Sequence, residues 1–143
     1  VDLNVQNPRI HQIFGTAARP GLVEAFSDGT IQVSATKIEH LCVLSAGGGT
    51  THPLGLEQLT PFRDVIYSLG QEFDFVIIDM PAINAQGFPI LFANQLSGLL
   101  VVLKVGKTKR WELDKMFRLL NEDQVFGFVF NRIKEDIIPV RKV

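Results

Sequence analysis

The residues best suited to chemistry are few, and they sit at the ends of apolar runs. The stretch FDFVIIDMPA, Phe73–Ala82, ends its apolar run on a lone acid, Asp79, before Pro81 breaks it. VDLNV, at Val1–Val5, carries Asp2 and Asn4, and the stretch from Ser45 to Thr51 is rich in glycine. Lys107, Lys109 and Arg110 follow a further run, and Asn131 with Arg132 closes the last. An acid, a glycine loop, cations and an amide at one sheet edge suit a magnesium–nucleotide. A carboxylate oxygen is a hard ligand for magnesium, held directly or through water, which gives Asp79 its role. Cations beside a helix start draw phosphate, which gives Lys107, Lys109 and Arg110 theirs. Asn131 offers a paired donor and acceptor for a base edge.

Each of these residues also has a plainer reading. A carboxylate at a strand end commonly serves as a turn or cap residue, and the cations fit a solvated helix face. GGGTTHP lacks the Lys-Ser/Thr ending of a phosphate loop and reads as a connection. His11, His40 and His52 have no metal-ligand spacing and read as surface or internally bonded histidines. Cys42, the one cysteine, rules out an internal disulfide and reads as a buried thiol. Trp111 and the eleven phenylalanines read as core.

The elements that must position these residues are legible as a pattern. Five runs have strand length and β-branched or aromatic content: Val1–Val5, Leu41–Ala46, Phe73–Asp79, Gly98–Val105 and Val125–Asn131. Most are continuously apolar, the pattern of strands buried on both faces. Between them Phe62, Val65, Ile66 and Leu69 recur at helical spacing. Thr60–Pro61 then reads as the start of that helix and Gly70 as its stop. Leu113, Met116, Phe117 and Leu120 mark a second helix after Thr108, stopped near Asn121. Weaker helices are expected near Leu22–Ser27 and Phe88–Leu96. Strands alternating with helices predict an α/β fold, its sheet mostly parallel and flanked by helices. Ligands of such sheets bind beyond the carboxyl ends of the strands, where the residues above lie.

A chain of 143 residues is one domain's worth. Its 46% hydrophobic and 20% charged residues fit a soluble globular protein. A net charge of −1 supplies no global field toward nucleic acid, and no apolar run is long enough to span a bilayer. With a single cysteine and no signal-peptide pattern, the expected compartment is the cytoplasm. We expect a domain over residues 1–133 and a tail over 134–143. The opening on Val1 inside a strand-like run suggests a fragment of something longer.

Read in order, VDLNVQNPRIHQIFG, RPGLVEAFSDG, LCVLSAGGGTTHPLGL, FDFVIIDMPA, SGLLVVLKVGKTKR and VFGFVFNRI resemble the cytoplasmic domain of bacterial tyrosine kinases and their relatives in exopolysaccharide and capsule synthesis. The resemblance runs from about Val1 to Ile133. It implies a P-loop NTPase-like fold of the Min/Par division, magnesium–ATP or ADP as cofactor, and phosphoryl transfer. It makes FVIID the Walker B strand, with Asp79 at the magnesium-associated acid. Asp2 and Pro8 match the second Walker segment, so Asp2 and Asp79 stand as the catalytic and metal-associated acids. Asn131 takes the adenine-contacting position, and Lys107 to Arg110 fall in the loop that flanks the nucleotide. The implied partners are a membrane-spanning polysaccharide chain-length regulator and further copies of the chain. The implied place is the cytoplasm, peripheral to the inner face of the cell membrane, without direct insertion and without nucleic acid.

The sequence departs from that family in several places. The phosphate-binding loop lies upstream of the second Walker segment and is not in this sequence. Asn4 replaces the second acid of that segment, and an amide neither holds magnesium as well nor accepts a proton. Phe88 stands where a further acid is usual, and Tyr67 is the sole tyrosine, where the kinases end in a tyrosine cluster. The expectation is an incomplete or degenerate relative, inactive as it stands, with a regulatory or scaffolding role. A fragment of an active ATP-dependent kinase or ATPase is the alternative. A Min/Par-type positioning ATPase ranks third, because IIPVRKV is too short for a membrane-binding helix. Without a phosphate-loop strand beside them, the apolar strands should expose edges that favour association.

Overall fold

The first apolar run and the run at Phe73–Asp79 form no full strands; they meet in a single parallel bridge between Asp2 and Asp79. In the computed structural model, which describes residues 1–48, 52–83 and 89–133, the Asp2 N–H donates to the Leu44 carbonyl at 3.0 Å. On the other side the Leu3 N–H donates to Asp79 and the Asp79 N–H to Val1, each at 2.9 Å. Residues 1–3 therefore run between two neighbours, with Asp2 and Asp79 as parallel partners.

In chain order the elements are α1 (Ile10–Phe14), α2 (Leu22–Asp28), β1 (Ser34–Ala35), β2 (Cys42–Val43), α3 (Leu59–Glu72), α4 (Ile90–Ala93), β3 (Leu99–Lys104), α5 (Arg110–Leu119) and β4 (Val125–Asn131). Short 3₁₀ turns cover Leu56–Gln58 and Glu122–Gln124. The chain divides into two compact units, Val1–Phe92 and Ala93–Val143. This is the α/β class expected, with parallel pairing and helices around it.

In the first unit β1 and β2 form an antiparallel pair, Ser34 opposite Val43 and Ala35 opposite Cys42. The core gathers Leu3, Val5, Leu22, Leu44, Phe62, Val65, Leu69 and Phe92, all buried. Phe62 and Phe92 meet edge to face, their centroids 5.0 Å apart. Of the apolar positions expected on α3, Phe62, Val65 and Leu69 form its buried stripe, while Ile66 is half-buried. The helix begins earlier than Thr60. The Gly55 N–H donates to the Gln58 side chain at 2.7 Å, and the turn it closes feeds directly into Leu59. Thr60 and Pro61 then fall within the first turn, where a missing N–H has no helical partner to lose. Gly70 does not stop α3, which runs to Glu72 and ends where Phe73 turns extended. Helix α1 and strand β1 escaped the pattern because both are shorter than a period can mark.

In the second unit β3 and β4 pair in parallel, from Leu99 with Val125 to Lys104 with Asn131. Helix α5 packs on one face, where Phe117 meets Phe128 with centroids 6.1 Å apart and Met116 is buried. The helix starts at Arg110 rather than directly after Thr108. The Thr108 hydroxyl is turned back instead, accepting from the Lys104 N–H at 3.1 Å. The strands are not buried on both faces: Leu100, Val102, Phe126 and Phe130 are exposed. Trp111 is likewise no core residue, being 57% exposed, because it sits opposite the Met116 side of α5. Cys42 is half-buried. Phe88, Gly49 to Thr51 and the tail over 134–143 lie outside the described residues.

Candidate functional site

The structure brings two predicted acids together and treats them differently. Asp2 and Asp79 are partners in an isolated parallel bridge between two extended segments, a spacing of about 4.8 Å between the two backbones. Asp2 is 0% exposed. Its Oδ1 accepts from the Asn4 N–H, and its Oδ2 from the N–H groups of Arg9 and Ile10, all at 3.1 Å. The chain folds so because α1 opens at Ile10 with unpaired N–H groups and carries no cap of its own on Arg9. A carboxylate supplied from a strand satisfies them and meets the positive end of the helix. Pro8 breaks the chain just before.

Asp79 is exposed, and among the described residues no hydrogen bond reaches its carboxylate. Its carboxyl sits above the usual range, first because of partial burial and then because the charge of Asp2 stands beside it. Asn4 is half-buried and lies two residues beyond Asp2. The oxygens here are hard donors of the kind magnesium takes, and magnesium commonly asks for one or two carboxylates while keeping its waters. Asp79 fits that requirement outright. Asp2 fits it only through lone pairs left over after its N–H partners. Among the described residues no cluster of three or more acids, histidines or cysteines forms a full metal cage.

The remaining predicted residues belong to the second unit. Lys104 and Asn131 are the last register pair of β3 and β4. The Lys104 carbonyl accepts from Lys107 and Thr108 at 3.1 and 3.0 Å, with Gly106 at φ 72° making the turn. That turn presents Lys107 and Arg110 at the carboxyl end of the strand, both exposed. Asn131 is exposed too, and its side chain accepts from the Arg132 N–H at 2.7 Å. That bond leaves the amide nitrogen available as a donor.

One residue escaped the sequence reading. Glu24 accepts from the Gly21 N–H at 2.8 Å and the Gly48 N–H at 2.9 Å, with Arg19 beside it at 3.7 Å. Burial works to raise its carboxyl; the N–H groups of Gly48, Gly21 and Glu24 itself, with Arg19, outweigh that and leave it below the usual range. It thereby fastens the start of the glycine stretch to α2. Gly21 must be glycine, because a Cβ there would collide with the backbone of Ser45 and Gly47. Gly47 has φ 92°, a conformation other residues avoid. The spacing Gly21-x-x-Glu24 at a helix start was the available signal.

Among known proteins, no family model matches the chain. The chain is 27% identical over 141 residues to "Putative tyrosine-protein kinase CapB" of Staphylococcus aureus, covering 95% of this chain and 62% of that one. It is 29% identical over 119 residues to "Tyrosine-protein kinase CpsD" of Streptococcus pneumoniae serotype 4, covering 79% of this chain and 52% of that protein. The solved structure of "the chimerical protein CapA2B2" superposes with a TM-score of 0.80 at 26% identity, covering 94% of this chain and 62% of that one. The homologues of this chain are therefore bacterial tyrosine-protein kinases, and its fold is that of their P-loop NTPase-like kinase domains. It spans less than two thirds of the length of these relatives.

Proposed function

We propose that this chain is a bacterial tyrosine-kinase-like domain with a regulatory or scaffolding role in exopolysaccharide or capsule synthesis. In this reading it no longer carries out phosphoryl transfer. The observation that carries the reading is the state of the acids. Both oxygens of Asp2 are engaged by three N–H groups, and the amide of Asn4 stands where the resemblance leads one to expect a second acid. Asp79 alone keeps an uncommitted carboxylate, which suffices to hold magnesium but leaves no base for a tyrosine hydroxyl.

Magnesium, when bound with a nucleotide, neutralises charge on the phosphate oxygens. Asp79 would hold that ion, and Asp2 would be the second acid available to it. In the second unit, Lys107 and Arg110 would attract phosphate, and Asn131 would donate to adenine. The expected partner, carried over from the family, is a membrane-spanning chain-length regulator, with the domain peripheral at the inner face of the cell membrane. No helix among the described residues is long and apolar enough to cross a membrane.

Self-association is part of the same proposal. Phe75 and Ile77, 85% and 80% exposed, lie at alternate positions of an extended segment whose backbone bonds among the described residues, at Ile77 and Asp79, go to Val1–Leu3. An apolar edge of this kind invites pairing. Light scattering should report a dimer or larger assembly; a monomer would remove this part.

The deciding experiment titrates the protein with a fluorescent ATP analogue and magnesium, then assays transfer to tyrosine. We expect no transfer, and tighter magnesium-dependent binding on Asn4→Asp. Tyrosine phosphorylation by the unsubstituted protein would overturn the degenerate reading. It would favour a second one, that the chain is part of a longer ATP-dependent kinase. The coverage of 62% of CapB supports that alternative.

A further inference from the structure

The second unit carries a charge pattern that a nucleotide does not use up. From Leu99 to Trp111 the sequence holds Lys104, Lys107, Lys109 and Arg110 and no acid. Arg132 follows Asn131, the register partner of Lys104. Among the described residues none of these cations lies within ion-pair distance of a carboxylate. The nearest acid in sequence, Glu112, accepts from the Lys109 N–H at 2.7 Å.

The exposed face of α5 extends this surface. Trp111, Lys115, Arg118 and Leu119 recur at helical spacing, all outside the core, with Trp111 57% and Leu119 42% exposed. Asp114 is the exposed acid of that helix, and Glu122 with Asp123 lies beyond its end. The opposite face, with Met116 and Leu120, is buried.

A large aromatic left in water costs free energy unless something covers it. An indole has an apolar body and one N–H donor, the combination that sits at the level of lipid headgroups. Lysines and arginines around it meet phosphate there without surrendering their hydration. We propose that the turn at Lys107–Arg110 and the outer face of α5 dock on an anionic lipid surface, with Trp111 entering the headgroup layer and the cations contacting lipid phosphates. A free nucleotide offers the same phosphate chemistry, but it would leave Trp111, Lys115 and Leu119 without a partner. This proposal shares Lys107 and Arg110 with the nucleotide reading and differs from it in requiring Trp111, Lys115 and Leu119, so its test is run on lipid alone.

The test mixes the protein with vesicles of phosphatidylglycerol or of phosphatidylcholine, without nucleotide. Trp111 is the only tryptophan of this sequence, so its emission reports the site directly. We expect cosedimentation and a blue shift with phosphatidylglycerol alone, both reversed by salt. The triple change Lys107→Glu, Lys109→Glu, Arg110→Glu should weaken partitioning at least about tenfold while the circular dichroism spectrum stays native. Trp111→Ala should weaken it several-fold. Should the triple change unfold the chain, Lys115→Glu with Arg118→Glu on the far side of the surface repeats the test. No binding to phosphatidylglycerol, or equal binding to both lipids, overturns the proposal. In a parallel titration without vesicles, a shift produced by magnesium–ATP, where lipid gives none, also overturns it and makes the turn a nucleotide site. Failure of the vesicle arm leaves the kinase assay untouched, and the reverse holds.

Discussion

The acids of the first unit and the basic strand end of the second are built on opposite terms. Asp2 and Glu24 are consumed by backbone N–H groups that would otherwise be unpaired. Lys104, Lys107, Lys109, Arg110 and Arg132 have no carboxylate partner among the described residues. An ionisable group spent inside the fold stabilises it and has little left for a ligand; one left without a partner stabilises nothing and is available. By that measure the first unit offers Asp79, and the second offers its whole basic end.

The sharpest test of the contrast is Asp2→Ala. It strips the acceptor from three partly buried N–H groups and should cost about 3 kcal/mol, read as a lower denaturant midpoint. A loss below about 0.5 kcal/mol would mean that water takes over those donors, and Asp2 would return as a metal ligand. Glu24→Ala should follow at about 1–2 kcal/mol, through release of the Gly48 segment.

The pH dependence separates Glu24 from Asp79 by sign. The carboxyl of Glu24 is lowered in the folded chain, so its contribution is full above the ordinary carboxylate range and is lost as pH falls through the folded value. The carboxyl of Asp79 is raised, so its contribution is full below the ordinary range and is lost as pH rises through the folded value. Acid titrations of Glu24→Gln and Asp79→Asn should therefore depart from the unsubstituted curve in opposite directions. At neutral pH, Asp79→Asn should leave stability level or slightly higher, within about 0.5 kcal/mol, while weakening magnesium binding. The smallest effect is expected from Lys109→Glu, again within about 0.5 kcal/mol of stability, since it breaks no ion pair. A larger loss there would mean that the basic end supports the fold after all.

Several elements were legible because they repeat. Phe62, Val65 and Leu69 marked α3 by spacing, and the apolar runs at 99–104 and 125–131 marked the parallel pair. Boundaries were less so: the start of α3 depends on Gln58 reaching back to Gly55, a contact no periodicity encodes. Trp111 read as core because large aromatics usually are, and which side of α5 it faces depends on where the sheet lies. The pairing of acids was legible only in part, since two strand-end carboxylates look alike in a sequence.

What the sequence determined by itself is the α/β order, the acids and cations at strand ends, and the kinship with bacterial tyrosine kinases. These are properties of residue type and spacing, which the chain carries whether folded or not. What the tertiary structure decided is which of those charges are spent. Asp2 is closed off because α1 begins beside it, and Asp79, its partner in a parallel bridge, is not. The donors on Asp2 lie within eight residues of it, but the segments that bury it, at Leu44 and Asp79, are distant in the chain, so the fate of a carboxylate is fixed by its neighbours in space.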